Sequence, residues 1–197
     1  MNLNFSPSFI ETYDKALSSD ECNILITQFE KNPNKGEGVI YKNEDYGRRC
    51  VKIVDKDFKN SLELVDPRFS EPTVITSIIS SSLNKCMDRY RKKYSMLNNY
   101  MGRYKANDVY TFKKFEGNDG GYKCWHHEHG ANDIMSKRVF VWGFYLNNAP
   151  GTEFMFYPNV SGKEGRCVIF PASFNYMHRS CPNKGIKYIV TGCISYV

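Results

Sequence analysis

All four histidines of the 197-residue chain stand at two places. Three lie within Trp125-His126-His127-Glu128-His129, and the fourth, His178, stands alone beyond a strand-rich stretch. A chain that uses histidine so sparingly and then clusters it with a carboxylate is read as a metal binder. In a strand, side chains alternate between faces. A strand over Tyr122 to His127 therefore turns His126 and Glu128 one way and His127 and His129 the other. One face then offers an imidazole and a carboxylate, and His178 is the one remaining histidine that can complete the set. Two histidines and a carboxylate on one side of a metal, with the opposite positions open, suit non-haem Fe(II) oxygen chemistry. His-x-Glu by itself is a common dipeptide spacing. A competing pairing takes His127 and His129 as ligands with Glu128 turned away, and it leaves no obvious carboxylate ligand. Lys187, nine residues after His178, opens a strongly β-forming tail and places a cation near the same group.

These residues need a scaffold. After about residue 104 the hydrophobic period is that of strands. Strands are expected at Val109 to Phe115, Tyr122 to His127, Arg138 to Leu146, Glu153 to Tyr157, Arg166 to Phe170 and Tyr188 to Tyr196. Gly117 to Gly121, Asn147 to Gly151, Asn159 to Gly165 and Asn183 to Gly185 read as turns. The first hundred residues read as support. Ser18 and Glu21 can form a capping box, with Cys22, Leu25, Ile26 and Phe29 following at helical spacing until Asn32-Pro33 ends the helix. Cys50 to Val54 reads as a short strand. A longer helix is expected from near Pro72, with one apolar stripe of Ile75, Ile78, Ile79, Leu83, Cys86, Met87, Tyr90 and Tyr94. That stripe is packing surface and is expected to lie across the outer face of a sheet. Many short strands with frequent turns indicate a β-sandwich or barrel closed off by helices.

Composition sets bounds on the remaining possibilities. The length suits one domain with a sizeable core. No apolar run approaches the ~20 residues that span a bilayer, and Met1 to Pro7 lacks the features of a secretory signal. Seven cysteines, an odd number with no CxxC pair, read as reduced and mostly buried thiols of a cytosolic protein, which argues against a structural zinc site. The net charge of +6 draws on Arg89-Tyr90-Arg91-Lys92-Lys93 and on Lys42, Arg48, Arg49 and Lys52. A solvated helix face accounts for the first run, and nucleic acid is a minor alternative that no motif supports.

The C-terminal half resembles the Fe(II)/2-oxoglutarate-dependent dioxygenases, specifically the prolyl-4-hydroxylase-like group in its small, free-standing bacterial or phage form. The resemblance runs through Gly121 to Glu128, Tyr145-Leu146-Asn147, Gly151-Thr152-Glu153-Phe154 and Gly165 to Pro171, then His178-Arg179 and Gly185 to Gly192. It covers residue 105 to the end and is highly specific as a set, whereas the N-terminal part is compatible without being diagnostic. It implies a mainly β fold with supporting helices: a double-stranded β-helix, or jelly roll, with N-terminal helices packed on the major sheet. It implies a single domain over 1–197, with 1–103 as helical support and first strands and 104–197 as the catalytic core. It implies that His126, Glu128 and His178 bind Fe(II) and that Lys187 pairs with the distal carboxylate of 2-oxoglutarate, with Tyr145 and Thr191 as further contacts. The family carboxylate is most often Asp where this chain has Glu128, and its usual Gly-Gly is Pro150-Gly151 here.

The implied reaction is hydroxylation of an unactivated C–H bond by O₂, coupled to conversion of 2-oxoglutarate to succinate and CO₂, with ascorbate as a possible helper. A prolyl residue in a peptide or protein is the favoured substrate, and a small metabolite or nucleobase is the alternative. Tyr122, Trp142 and Arg179 are candidate substrate-pocket residues, with Phe115 and the Lys113-Lys114 pair beside them. Two other classes stand against this reading: a catalytically silent jelly-roll binding module, and a cupin-like metal enzyme that needs more histidines than this chain has. The expected location is the cytoplasm, with no membrane partner.

Overall fold

The computed structural model describes residues 8–44 and 49–197, and side chains outside 42–50 and 65–66. Met1 to Pro7 and Arg48 lie outside the described residues, as do the side chains of Lys42, Arg49 and Cys50. In chain order the strands are β1 (Glu11–Tyr13), β2 (Lys35–Glu37), β3 (Ile40–Glu44), β4 (Arg49–Ile53), β5 (Lys59–Asn60), β6 (Leu62–Arg68), β7 (Tyr104–Ala106) and β8 (Val109–Glu116). They continue with β9 (Gly121–Tyr122), β10 (Arg138–Tyr145), β11 (Ala149–Phe154), β12 (Val160–Gly162), β13 (Cys167–Pro171), β14 (His178–Ser180) and β15 (Ile186–Tyr196). The helices are α1 (Ser19–Lys31), α2 (Val74–Lys93) and α3 (Met96–Tyr100).

An eight-stranded antiparallel sheet runs β1-β13-β10-β15-β8-β6-β2, with β7 also on β15. A three-stranded sheet runs β12-β11-β14. This mainly β architecture with a large antiparallel sheet is consistent with a jelly roll. The sequence of the central strands is apolar on both faces, which is the pattern of a sheet covered twice. Along β10, Phe140, Trp142 and Phe144 join one buried cluster with Leu25 and Phe29 of α1 and Ile79, Leu83, Met87 and Tyr90 of α2. The alternate residues Val141 and Tyr145 join a second cluster with Phe115, Phe154, Val168, Phe170 and Ile189. The first cluster is the helix side of the major sheet. The second is its inner side, facing the small sheet through Phe154 of β11. Tyr90 meets Phe140 edge-on at 5.2 Å, and Phe29 stacks on Phe112 at 5.9 Å.

Local chemistry explains the helix ends. Ser18 and Glu21 form the expected capping box on α1, and Asn32 closes it. For α2 the capping box is Thr73 with Thr76, so the helix starts at Val74 and Pro72 stands just ahead of it. The strand expected at Glu153 to Tyr157 lies earlier, as β11, and absorbs part of the Asn147-to-Gly151 turn. The strand expected over Tyr122 to His127 is corrected as well. Only Gly121–Tyr122 pairs as a strand, with β5, and the chain then runs irregularly to a single bridge at His126. The six cysteines with described side chains are free thiols, and Cys22, Cys86 and Cys167 are buried. No helix of the described residues is long and apolar enough to cross a membrane.

Two glycines test the backbone argument. Gly165 has φ +71°, and a Cβ there would meet the Leu17 carbonyl oxygen at 2.2 Å, whereas Gly117 has φ +67° with nothing within 4 Å. Gly117→Ala is therefore expected to cost only the left-handed backbone penalty of ~1 kcal/mol. Gly165→Ala is expected to cost at least ~2 kcal/mol, because the clash adds to the same penalty. Urea denaturation of the two variants measures the difference.

Candidate active site

The small sheet and the irregular segment after β9 are joined by one backbone bridge. The His126 N–H donates to the His178 carbonyl at 3.1 Å, and the His178 N–H donates to the His126 carbonyl at 2.9 Å. This reciprocal pair brings the two rings to 4.3 Å between centroids. Two residues on, the Glu128 N–H donates to the Ala172 carbonyl just beyond β13. The Glu128 carboxylate returns to the same place, with Oε1 3.9 Å from His126 Nε2. Ligand-type atoms of His126, Glu128 and His178 all lie within 4.8 Å of one another.

The ring orientations follow from carbonyl partners. His126 Nδ1 sits 3.0 Å from the Cys124 carbonyl, and His178 Nδ1 sits 3.0 Å from the Tyr176 carbonyl. A carbonyl can only accept, so each Nδ1 carries the proton and each Nε2 keeps its lone pair. Burial, together with the His178 charge, lowers the His126 pKa to about 3, and burial also lowers that of His178. Both imidazoles are thus neutral donors at neutral pH. Burial alone would raise the Glu128 pKa, but His126 and Arg138 outweigh it and hold the carboxyl at about 2. Arg138 donates to Glu128 Oε2 at 2.8 Å and to its backbone carbonyl at 3.1 Å. That leaves Oε1 as the free oxygen. Two neutral imidazoles and one ionised carboxylate are a donor set that fits a divalent metal of the iron type.

The inner face of the major sheet carries the second feature. Lys187 of β15 is only 2% exposed. Its Nζ donates to the Gly151 carbonyl at 2.6 Å and lies 5.6 Å from the Phe115 ring centre and 5.5 Å from that of Tyr145. Burial lowers its pKa to about 8. The Tyr145 hydroxyl is shared with Thr152 Oγ1 at 2.7 Å. A methyl group of Thr191 lies near Gly143 beside Ile189 and Val168, so Thr191 shares the inner face with Lys187. The same apolar cluster reaches the metal-type group, since Phe170 packs edge-on against the His178 ring at 4.8 Å.

The substrate-pocket expectations divide. Tyr122 stacks on the His126 ring at 3.5 Å and 12°, and Phe115 lies in the inner cluster. Trp142 is corrected: it is fully buried on the helix side of the sheet against Phe69 and Tyr110, because β10 alternation turns it away from Val141. Arg179 is corrected too. On β14 it alternates with His178, points away from it, pairs with Glu153 at 2.6 Å and covers the Trp125 ring. Lys114 turns to the helix side, where it meets Glu30 of α1 at 3.0 Å. His129 is exposed, and His127 is not part of the converging group. Sequence reasoning passed over Arg138 and the buried Lys59–Glu63 pair, whose Nζ–Oε1 distance is 3.0 Å and whose Lys59 lies over the Tyr122 ring. Nothing in their spacing signals these contacts; they arise from β5, β6 and β10 meeting the β9 region.

No protein-family model matches the chain, and no curated protein matches it. Solved structures do. A viral collagen prolyl hydroxylase from Paramecium bursaria Chlorella virus-1, in complex with 2OG, is similar at 17% identity and a TM-score of 0.62, with 96% of this chain and 97% of that one covered. A Pseudomonas putida prolyl-4-hydroxylase is similar at 12% identity and a TM-score of 0.61, with 96% and 94% covered. A Trichoplax adhaerens prolyl hydroxylase, in complex with a hypoxia inducible factor oxygen degradation domain peptide fragment, is similar at 14% identity and a TM-score of 0.65, with 95% and 84% covered.

The converging group makes one clear prediction. His178→Ala is expected to weaken Mn(II) binding beyond the 10–100-fold typical of losing an outer partner, while His127→Ala and His129→Ala stay within about threefold, as expected of residues that are not ligands. Competition with a chelator measures all three, and a larger loss in the His127 or His129 variants would restore the competing pairing. Near-complete mutual coverage at low identity is what a shared architecture produces, and the chain has the fold of these prolyl hydroxylases.

Proposed function

We propose that the chain is an Fe(II)- and 2-oxoglutarate-dependent dioxygenase that hydroxylates an unactivated C–H bond, with a prolyl residue of a peptide or protein as the favoured substrate. The observation that carries this reading is the convergence of His126, Glu128 and His178 beside an inner face that buries the Lys187 ammonium. Iron held by those three residues would supply the activation of O₂, with 2-oxoglutarate giving up CO₂ to become succinate as the C–H bond is oxidised. The prolyl assignment draws on the solved structures of similar fold, which are prolyl hydroxylases, one of them bound to a peptide.

The protein's own residues have defined tasks in this reading. The Cys124 and Tyr176 carbonyls hold the two imidazoles by Nδ1, so that each Nε2 would be free to hold the metal, and the His126 ring is further fixed by Tyr122 stacked on it. Arg138 occupies one Glu128 oxygen, so the longer side chain that replaces the commoner Asp acts through the other. Lys187 is a buried cation whose only described hydrogen bond is to a carbonyl, and a carboxylate is the partner that offsets the cost of burying it. The Tyr145 hydroxyl and Thr191 lie on the same face to receive the distal end of 2-oxoglutarate. Phe154 and Phe170 pack beside the His178 ring, an apolar neighbourhood that would keep water from the reacting groups. The chain is read as one catalytic domain in which the first hundred residues support the sheet, and ascorbate would serve only to restore oxidised iron.

Purified protein supplied with Fe(II) and 2-oxoglutarate is expected to form succinate slowly without substrate and faster with a prolyl peptide. His178→Ala is expected to remove iron-dependent succinate, and a wild-type protein that forms none refutes the oxygenase reading. The Lys187 ammonium adds a pH prediction. Its pKa is about 8 in the free protein, lowered by burial, and a bound dicarboxylate raises it. Binding therefore takes up a proton above pH 8, and affinity for 2-oxoglutarate falls by up to ~tenfold per pH unit there while being flat below. Lys187→Arg, which stays charged, is expected to bind with no such fall; calorimetry between pH 7 and pH 9.5 tests both.

A further inference from the structure

We propose that Lys113 forms a subsite for a carboxylate on the substrate, so that the molecule oxidised is an acidic one. This rests on the oxygenase reading above and names the substrate chemistry of that same site.

The placement comes from β8. Phe112 belongs to the helix-side cluster and Lys114 reaches Glu30 of α1, whereas Phe115 belongs to the inner cluster. Alternation therefore turns Lys113 inward. It stands opposite Ile189 on β15 and opposite Glu63 on β6. Phe115, the next inward residue of β8, stands opposite Lys187. Two residues along a strand is ~7 Å, so Lys113 lies one step from the proposed co-substrate cation and is a separate position. Glu63, opposite Lys113, is paired with Lys59, which lies over the Tyr122 ring stacked on His126, so Lys113 also stands beside the metal-type group.

Its natural partner is already engaged. The Glu63 carboxylate is held by Lys59 at 3.0 and 3.2 Å and by the Ser61 hydroxyl at 2.8 Å. Among the described residues the Lys113 side chain makes no hydrogen bond or ion pair, and it is half-buried where Lys187 is fully buried. The inner region thus holds the cations Lys59, Lys113, Lys187 and Arg138 against the carboxylates Glu63 and Glu128. A divalent metal and the 2-oxoglutarate dianion cancel each other, so the excess of positive charge persists in the loaded site. A half-buried ammonium with no counter-charge is costly to keep. A substrate carboxylate, from an acidic side chain beside a prolyl residue or from the carboxyl group of a free amino acid, supplies that counter-charge through a charge-assisted hydrogen bond.

Binding is measured by calorimetry on protein loaded with 2-oxoglutarate and Mn(II), which replaces Fe(II) so that no turnover occurs. One pair of ligands is a capped Glu-Pro peptide and its Gln-Pro counterpart; the other is free L-proline and prolinamide. The carboxylate member of at least one pair is expected to bind at least about tenfold more tightly, and the pair that shows it identifies the source of the carboxylate. Lys113→Met is expected to abolish that preference, and Lys113→Arg to retain it. Equal affinity within both pairs, binding by none of the four, or a preference that survives in Lys113→Met overturns the subsite. A tenfold loss of 2-oxoglutarate affinity in Lys113→Met with the preference intact would overturn it by assigning Lys113 to the co-substrate. Failure of the wild type to bind 2-oxoglutarate with metal present is a different result and refutes the oxygenase reading itself.

Discussion

Two backbone hydrogen bonds, exchanged between His126 and His178, hold the site together. They join an irregular segment to the short strand β14, 52 residues later in the chain by number, and they set the spacing of two imidazoles. β14 in turn pairs with β11, where His178 stands opposite Phe154. The side-chain chemistry depends on that bridge. If it slipped by one residue, Arg179 would take the place of His178, because successive strand residues face opposite sides.

The rest of the fold supports this joint by burying both faces of one sheet. The helix side is filled by aromatic and aliphatic residues from α1, α2 and the central strands. The inner side is apolar at Val141, Val168, Phe170 and Ile189 and then turns polar at Lys187, Lys113 and Glu63. Such interior charges are expensive and persist where a partner offsets them. Glu63 has Lys59, and Glu128 has Arg138. Lys187 has only a carbonyl, and Lys113 has no partner among the described residues. The inner face therefore has an anion-accepting character that the apolar core alone would not produce.

Much of this was legible in the chain itself. The histidine count, the isolated His178 and the position of Lys187 picked out the converging group, and the period change near residue 104 marked where the sheet residues concentrate. Tyr122 was named as a candidate pocket residue, and the Ser18 capping box was visible. The misreadings share a cause. Trp142 and Arg179 were candidate pocket residues that no sequence pattern assigned, and each alternates to the other face of its strand. The Tyr122-to-His127 strand was inferred from residue types, whereas the chain pairs only at its ends there. His126 and Glu128 converge because they bond to different neighbours, His178 and Ala172, and not because a regular strand aligns them.

The sequence by itself determined the donor chemistry: which side chains can ligate, which cation is available, and which segments are apolar enough to be strands or helix faces. These are properties of residue types and of short-range periodicity, and they survive without knowledge of partners. Only the tertiary structure decided which carbonyls fix the histidine tautomers, that Arg138 takes one Glu128 oxygen, and that Glu63 is engaged by Lys59 and leaves Lys113 without a partner among the described residues. The Arg138–Glu128 and Glu63–Lys113 relations join separate segments whose register is set by global packing, which no local pattern encodes, and the two carbonyls, each only two residues back, sit on segments that the 126–178 bridge fixes.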